Sequence, residues 1–335
     1  MTIFSGLLDQ LPISGRVMFL LVLSCIVVPH SAFSVDTGPV CAIDMGSNNF
    51  KLIIGEMKGG KYRQHYYMKD KLSVGTDMSK TGVINRAKLN EIRQILGKYL
   101  SVCDSARILT RAAVATAAFR EAKNRRDVVE IANSLQLPFE IASEERESQL
   151  AYLVGTLGKR NFAVIDNGSR SIELVTYDAH GYQWSVFKLG YQIAFQQFFR
   201  PAKTFAEASD KYRRVLGPYI IAADFMRNRD GYIGVEMEHV ARNLLSLDRA
   251  DNVSISLDIV ARKMAALRDM TENEFAALKQ VKNIDAILPR VVVLEQTLAT
   301  FGYREMQVFE RELGVGLIVE KASGEDRWAS QLQRR

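Results

Sequence analysis

From residue 40 onward the chain alternates short apolar runs with amphipathic stretches. Residues 40–44 are apolar and end on an acid; Gly46, Ser47, Asn48 and Asn49 follow as a turn, and residues 50–56 alternate as a second strand. Gly59 and Gly60 make the next turn, ahead of a third strand-like run over 62–68 in which Tyr62, Tyr66 and Tyr67 line a sheet. The spacing of Leu89, Ile92, Ile95, Leu96 and Leu100 puts them on one face of a helix over 86–102. Residues 106–116 read as a strand, 117–135 as a helix, 138–142 as a short strand and 144–157 as a helix; then 162–166 begin the pattern again. Strands alternating with helices predict an α/β architecture.

The second start repeats the first. Val40-Cys41-Ala42-Ile43-Asp44-Met45-Gly46-Ser47 aligns with Phe162-Ala163-Val164-Ile165-Asp166-Asn167-Gly168-Ser169, with Ile, Asp, Gly and Ser in register at an offset of 122 residues. Leu52 and Leu174 continue the register. A strand, an acid at its end, a small-residue turn and a second strand therefore occur twice, which a duplicated domain explains. One Asp-x-Gly-Ser turn alone is an ordinary hairpin turn. Two at one offset predict two similar lobes, each presenting an Asp and a turn to a shared cleft.

The chain has 335 residues, a length that suits two domains. Its 47% hydrophobic and 24% charged content excludes a disordered or collagen-like polymer, and a mean hydropathy of -0.05 argues against a polytopic membrane protein. Residues 17–28 are uncharged and apolar, too short a run for the ~20 residues of a membrane-spanning helix. With Arg16 before them, Pro29 after them and small residues at Ala32 and Ser34, they read as a secretory leader over 1–34, with an anchoring helix as the alternative. The expected organisation is thus leader 1–34, first lobe 35–158 and second lobe 159–335, with an exported product. The net charge of +6 suits an anionic partner and does not name one. Three cysteines exclude a disulfide-stapled miniature fold; Cys41 and Cys103 lie beyond the leader, and their spacing leaves a pairing open.

The duplicated turn suits phosphate. Gly46, Ser47, Asn48 and Asn49, and in the second copy Gly168 and Ser169, let backbone N–H groups approach an anion while side chains add donors. Asp44 and Asp166 at the strand ends suit Mg²⁺ held against the same phosphate. His65, His180 and His239 show no metal-ligand spacing. No Walker A loop or Gly-x-Ser-x-Gly elbow occurs.

Residues 43–52, Ile-Asp-Met-Gly-Ser-Asn-Asn-Phe-Lys-Leu, resemble the first phosphate loop of the exopolyphosphatase/guanosine pentaphosphate phosphatase (Ppx/GppA) family. Residues 115–124, Ala-Thr-Ala-Ala-Phe-Arg-Glu-Ala-Lys-Asn, resemble its next and more specific signature, and 138–150 resemble the segment bearing its catalytic glutamate. Residues 71–75 stand where the family has a further short motif. The resemblance implies two ribonuclease-H-like lobes of the actin-like ATPase superfamily around an interlobe cleft. It further implies Glu147 as the residue that positions or deprotonates water, Asp44, Asp166 and Glu173 as acids around metal and nucleophile, and Arg120 as a phosphate ligand. The chemistry implied is Mg²⁺-assisted attack of water on a terminal phosphoryl group of polyphosphate or a phosphorylated nucleotide. Nucleic acid is not expected as a partner, and a homodimer is compatible with the reading. Taken alone, Glu144, Glu145 and Glu147 are also an acidic run at a helix start, where the macrodipole favours them without catalysis.

The sequence departs from the family pattern in the second lobe. Residues 166–173 read Asp-Asn-Gly-Ser-Arg-Ser-Ile-Glu, keeping one glycine where the family has three, and Arg170 there either serves as a phosphate ligand or blocks the site. Glu236 and Glu238 stand where a glycine- and threonine-rich loop is expected, and 313–317 is an eroded C-terminal signature. These departures support a second reading, a catalytically silent protein that keeps the cleft and senses an anion.

Overall fold

The computed structural model describes residues 38–75, 81–235, 237, 240–242 and 253–324. The expected leader over 1–34 and residues Glu236, Glu238 and His239 lie outside them. The first sheet contains β1 (Val40–Met45), β2 (Asn49–Lys58), β3 (Lys61–Lys71), β4 (Arg111–Ala115) and β5 (Phe139–Ile141) in the order β3-β2-β1-β4-β5. The β1–β2–β3 meander is antiparallel, while β4 and β5 join in parallel. The second sheet contains β6 (Ala163–Asn167), β7 (Ile172–Asp178), β8 (Gly181–Phe187), β9 (Tyr232–Val235), β10 (Val253–Ser256) and β11 (Glu305–Val308) in the order β10-β11-β9-β6-β7-β8. With β10 set aside, β8-β7-β6-β9-β11 repeats the first sheet's order and directions. The repeat read at offset 122 is a repeat of whole lobes, and the fold is α/β with two ribonuclease-H-like lobes.

Burial follows position in the sheet. Central β1 and β6 are buried at every residue, as strands covered on both faces must be. Edge strand β3 carries four Lys or Arg residues and is mostly exposed, which discourages pairing with another chain. In the first lobe, α1 (Arg86–Ser105) starts at the Asn85 cap and buries Ile92, Leu96, Tyr99, Leu100 and Cys103 against one face of the sheet. Cys103 is disulfide-bonded to Cys41 of β1, with 6.2 Å between the Cα atoms.

Two expected elements differ from the structure. The strand expected over 106–116 begins only at Arg111, because the N–H groups of Ala106, Arg107 and Ile108 are spent on the last carbonyls of α1. The helix expected over 117–135 splits into α2 (Ala117–Glu121) and α3 (Arg125–Ser134). At the break, Lys123 N–H donates to Gly82 O (2.9 Å), and Asn124 exchanges two hydrogen bonds with the Ile84 backbone (both 2.9 Å). Tertiary partners thus outweigh helix propensity there.

Two helices fill the space between the sheets. The first, α4 (Glu144–Thr156), packs on β6, β7 and β9 of the second sheet. In the second lobe, α5 (Tyr191–Ala194), α6 (Phe205–Ala222), α7 (Leu257–Arg268), α8 (Glu272–Leu278) and α9 (Ile284–Phe301) cover the outer face. The last helix, α10 (Gly314–Ala322), returns to β1 and β2 of the first sheet and packs on α4. One apolar cluster therefore runs from Ala42 and Ile53 through Leu317 and Leu150 to Val164 and Ile233. No helix among the described residues is long and apolar enough to cross a membrane.

Candidate active site

The first loop leaves β1 at Asp44, which is buried. It closes by Gly46 N–H donating to Asn49 O (3.0 Å) and is tied to residues 72–75 by Leu72 N–H to Asn48 O and Gly75 N–H to Ser47 O (both 3.0 Å). The antiparallel register sets Lys51 of β2 opposite Asp44. Lys51 Nζ lies 3.4 Å from Asp44 Oδ2 and donates to the Glu312 carboxylate, which also accepts from Tyr67 Oη (3.0 Å). Burial first, and then the Glu312 carboxylate, push the Tyr67 phenol up, so it stays a donor.

The second loop leaves β6 at Asp166 in the same way, and the register there sets Glu173 of β7 opposite it. Both carboxylates are buried. The loop is anchored by its carbonyls: Gly168 O, Ser169 O and Arg170 O accept from the N–H groups of Tyr191, Gln192 and Gly190 (3.0 Å each). Trans peptide geometry then turns the N–H groups of Ser169, Arg170 and Ser171 away from that anchor. Gly190 makes the approach possible, since a Cβ there would stand 2.4 Å from Ser171 N. None of residues 168–171 has a positive φ. The loop conformation is therefore open to any L-residue, and the glycines missing from its sequence are not missed by its backbone. Beneath it, the buried Arg290 of α9 donates from Nε (3.0 Å) and Nη2 (2.7 Å) to Asn167 O, with its guanidinium 4.3 Å from the Tyr191 ring.

Glu147 enters the cleft from the first turn of α4, a helix capped by Ser143 Oγ accepting from Arg146 N–H (3.1 Å). Its Oε2 accepts from Arg120 Nη1 (2.9 Å), which also donates to Ala142 O (2.7 Å). The neighbouring Glu121 accepts from Arg170 Nη2 (2.7 Å). Arg170 thus ties the second loop to α2 of the first lobe, and its charged end is directed to a carboxylate of that lobe.

One cavity of about 100 Å³ gathers Asp44, Gly46, Ser47, Asn48 and Asn49 with Glu147, Asp166, Gly168, Ser169, Arg170 and Glu173. Arg120 lies outside this lining and reaches the cleft through Glu147. Thr116, Ala117, Ser171, Lys51, Tyr191 and Leu313 complete the wall, and sequence reading did not single out the last three as site residues. Lys51 stands in the recognised loop, where its pairing with Asp44 follows from hairpin register; Arg290 sits in an apolar helix stretch whose one interior cation was a readable anomaly. In the eroded C-terminal segment the glycines serve packing: a Cβ at Gly314 would meet Ile53 Cδ1 at 2.6 Å, and one at Gly316 would meet Leu150 O at 2.8 Å. Among the described residues no group of three or more His, Cys, Asp or Glu is arranged to hold a metal. Asp166 and Glu173 form a two-carboxylate donor set on the cavity wall beside the second loop. Mg²⁺ is commonly held by one or two carboxylates with substrate oxygens and water completing its shell, so these residues fit that ion.

The model of the Ppx/GppA phosphatase family matches residues 53–325. The crystal structure of a Ppx/GppA family member from Aquifex aeolicus is similar at a TM-score of 0.74 and 21% identity, covering 86% of this chain and 99% of that one. An exopolyphosphatase from Cytophaga hutchinsonii is similar at a TM-score of 0.68 and 17% identity, covering 86% and 98%. Among curated proteins no sequence matches this chain. The structural likenesses support the two-lobed fold, and the family match spans most of the chain and both sheets. This chain belongs to the Ppx/GppA phosphatase family.

Proposed function

We propose that the protein is a phosphohydrolase releasing terminal phosphate from polyphosphate or a polyphosphorylated nucleotide. The observation that carries this reading is the convergence of both phosphate loops and Glu147 on one small cavity. In the proposed reaction the loop N–H groups, with Ser47, Asn48 and Ser169, bind the terminal phosphoryl group and its neighbour. Glu147 orients a water and accepts its proton at Oε1 or Oε2, while Arg120 fixes the carboxylate by its hydrogen bond. The water oxygen bonds to phosphorus, the bridging P–O bond breaks, and the shortened chain leaves with the electron pair. Asp166 and Glu173 are the residues that would hold Mg²⁺, whose chemistry is to neutralise phosphoryl charge. Asp44, already compensated by Lys51, serves the first loop's structure and hydrogen bonding.

The test is phosphate release from polyphosphate and from a nucleoside pentaphosphate with Mg²⁺, comparing wild type with Glu147→Gln. Loss of a general base is expected to lower kcat by about 10²–10⁴-fold with a smaller change in KM. Saturable substrate binding with no release, in wild type as in the variant, would instead establish an anion sensor.

A further inference from the structure

The elements that carry the cleft also end on a second cavity. From Glu147, α4 runs to Gly155 and Leu157, roughly 15 Å away along a helix. From Asp166, β6 runs back to Phe162, roughly 13 Å along a strand. There the β2–β3 turn of the first sheet, the end of α4, and the β9 and β11 strands of the second enclose about 420 Å³, a volume typical of small-molecule sites.

Three aromatic rings wall it, and two of them are seated on glycine. A Cβ at Gly55 would meet Tyr62 Cε2 at 2.8 Å, so that ring occupies space that glycine leaves open, and one at Gly231 would crowd Phe162 Cε1 at 3.1 Å. The third, Phe309, lies under the Arg311 guanidinium at 4.2 Å. Arg311 also donates to Val154 O (3.1 Å) and Gly155 O (3.4 Å), neutralising the negative end of α4 where it meets the cavity. Lys61 and Lys159 stand exposed at the rim with no ion pair among the described residues. No Asp or Glu lines the cavity. Burial pushes the Tyr62 phenol up against the opposing pull of Arg311, which keeps it a neutral donor.

We propose that this cavity binds a mononucleotide: a planar base between the aromatic walls and a phosphate on Lys61 and Lys159. A bare phosphate chain would engage the lysines and make no use of the aromatic wall, and an uncharged ring would engage the wall and make no use of the lysines. The site is separate from the hydrolytic cleft and does not depend on its activity. Because its walls come from both lobes, a bound nucleotide is thermodynamically linked to their relative position.

The test uses the full chain and calorimetric titration with AMP, GMP and UMP, then with adenosine and ribose 5-phosphate, each with and without saturating tripolyphosphate in the Glu147→Gln background. Saturable binding of at least one mononucleotide, retained in saturating tripolyphosphate with at most a shift in affinity, is expected. Each half-ligand should bind about tenfold more weakly, and Lys61→Glu/Lys159→Glu should weaken the mononucleotide by about tenfold or more without altering the circular-dichroism melt. Absence of binding for all three nucleotides up to millimolar concentration would overturn the proposal. Equal affinity in the lysine variant, or displacement by tripolyphosphate, would do the same by putting the ligand elsewhere. Failure of phosphate release in wild type would overturn the hydrolytic reading and leave this titration interpretable.

Discussion

Lys51 and Glu173 occupy the same register position in the two lobes, opposite Asp44 and Asp166, with opposite charge. The first pair neutralises itself; the second sets two buried carboxylates side by side, an arrangement that favours a cation or a shared proton. The duplication therefore yields one structural and one chemical copy of the same hairpin. Asp44 and Asp166 could be read from sequence because each stands in a short motif that recurs. Glu312, the partner of Lys51, is 261 residues away, and no local pattern points to it. Counting glycines in the second loop speaks to two different needs: φ at 168–171 stays in the ordinary range and asks for none, whereas close approach of the backbone to a ligand is a separate requirement. Replacing Lys51 by Met removes the cation set between Asp44 and Glu312 and should cost about 3 kcal/mol of stability in urea unfolding, since breaking a buried pair leaves part of its partner's desolvation unmet. Lys51→Arg should keep most of it. A loss under about 0.5 kcal/mol for Lys51→Met would place the pair with solvated surface bridges.

Helices and strands were readable where one periodicity ran uninterrupted, as in α1 and α4. They were misread where backbone groups had distant partners, as at Lys123 and Asn124 with residues 82–84. Two predictions concern how elements are joined. The Cys41–Cys103 disulfide ties β1, the strand carrying Asp44, to α1 across a sequence separation of 62. By loop-closure entropy its removal as the double Cys→Ala variant should cost about 4 kcal/mol, measured by urea unfolding. We propose that the protein works in an oxidising compartment, where such a bond persists; mass spectrometry after alkylation of protein from its native cell should find both thiols blocked, and two free thiols would refute it. The second prediction is Gly316→Ala. Helix propensity favours it by about 1 kcal/mol, but its Cβ would stand 2.8 Å from Leu150 O and 3.2 Å from Leu150 Cα, backbone that cannot rotate aside. Overpacking of about 1–3 kcal/mol should prevail, lowering the thermal midpoint; an unchanged or raised midpoint would show that α10 can slide on α4.

For the whole molecule, the 122-residue offset disclosed two lobes before any coordinate, but not how closely they meet. The cavity between the loops, about 100 Å³, is lined by residues of both lobes. Arg170 and Glu121 form a direct ion pair between the second loop and the first lobe at 2.7 Å, with side chains 29% and 33% exposed. A pair this solvated contributes about 0.2–1 kcal/mol, and it does so only when the lobes are together. Removing either partner should therefore shift the protein toward a more open form and lower kcat of the proposed hydrolysis by up to about fivefold. Because the two residues act through one contact, Arg170→Ala, Glu121→Gln and the double variant should all show the same loss, and high salt should reduce wild type toward them. Multiplying losses in the double variant would mean that Arg170 contacts substrate by itself, as a phosphate ligand rather than a tie between lobes.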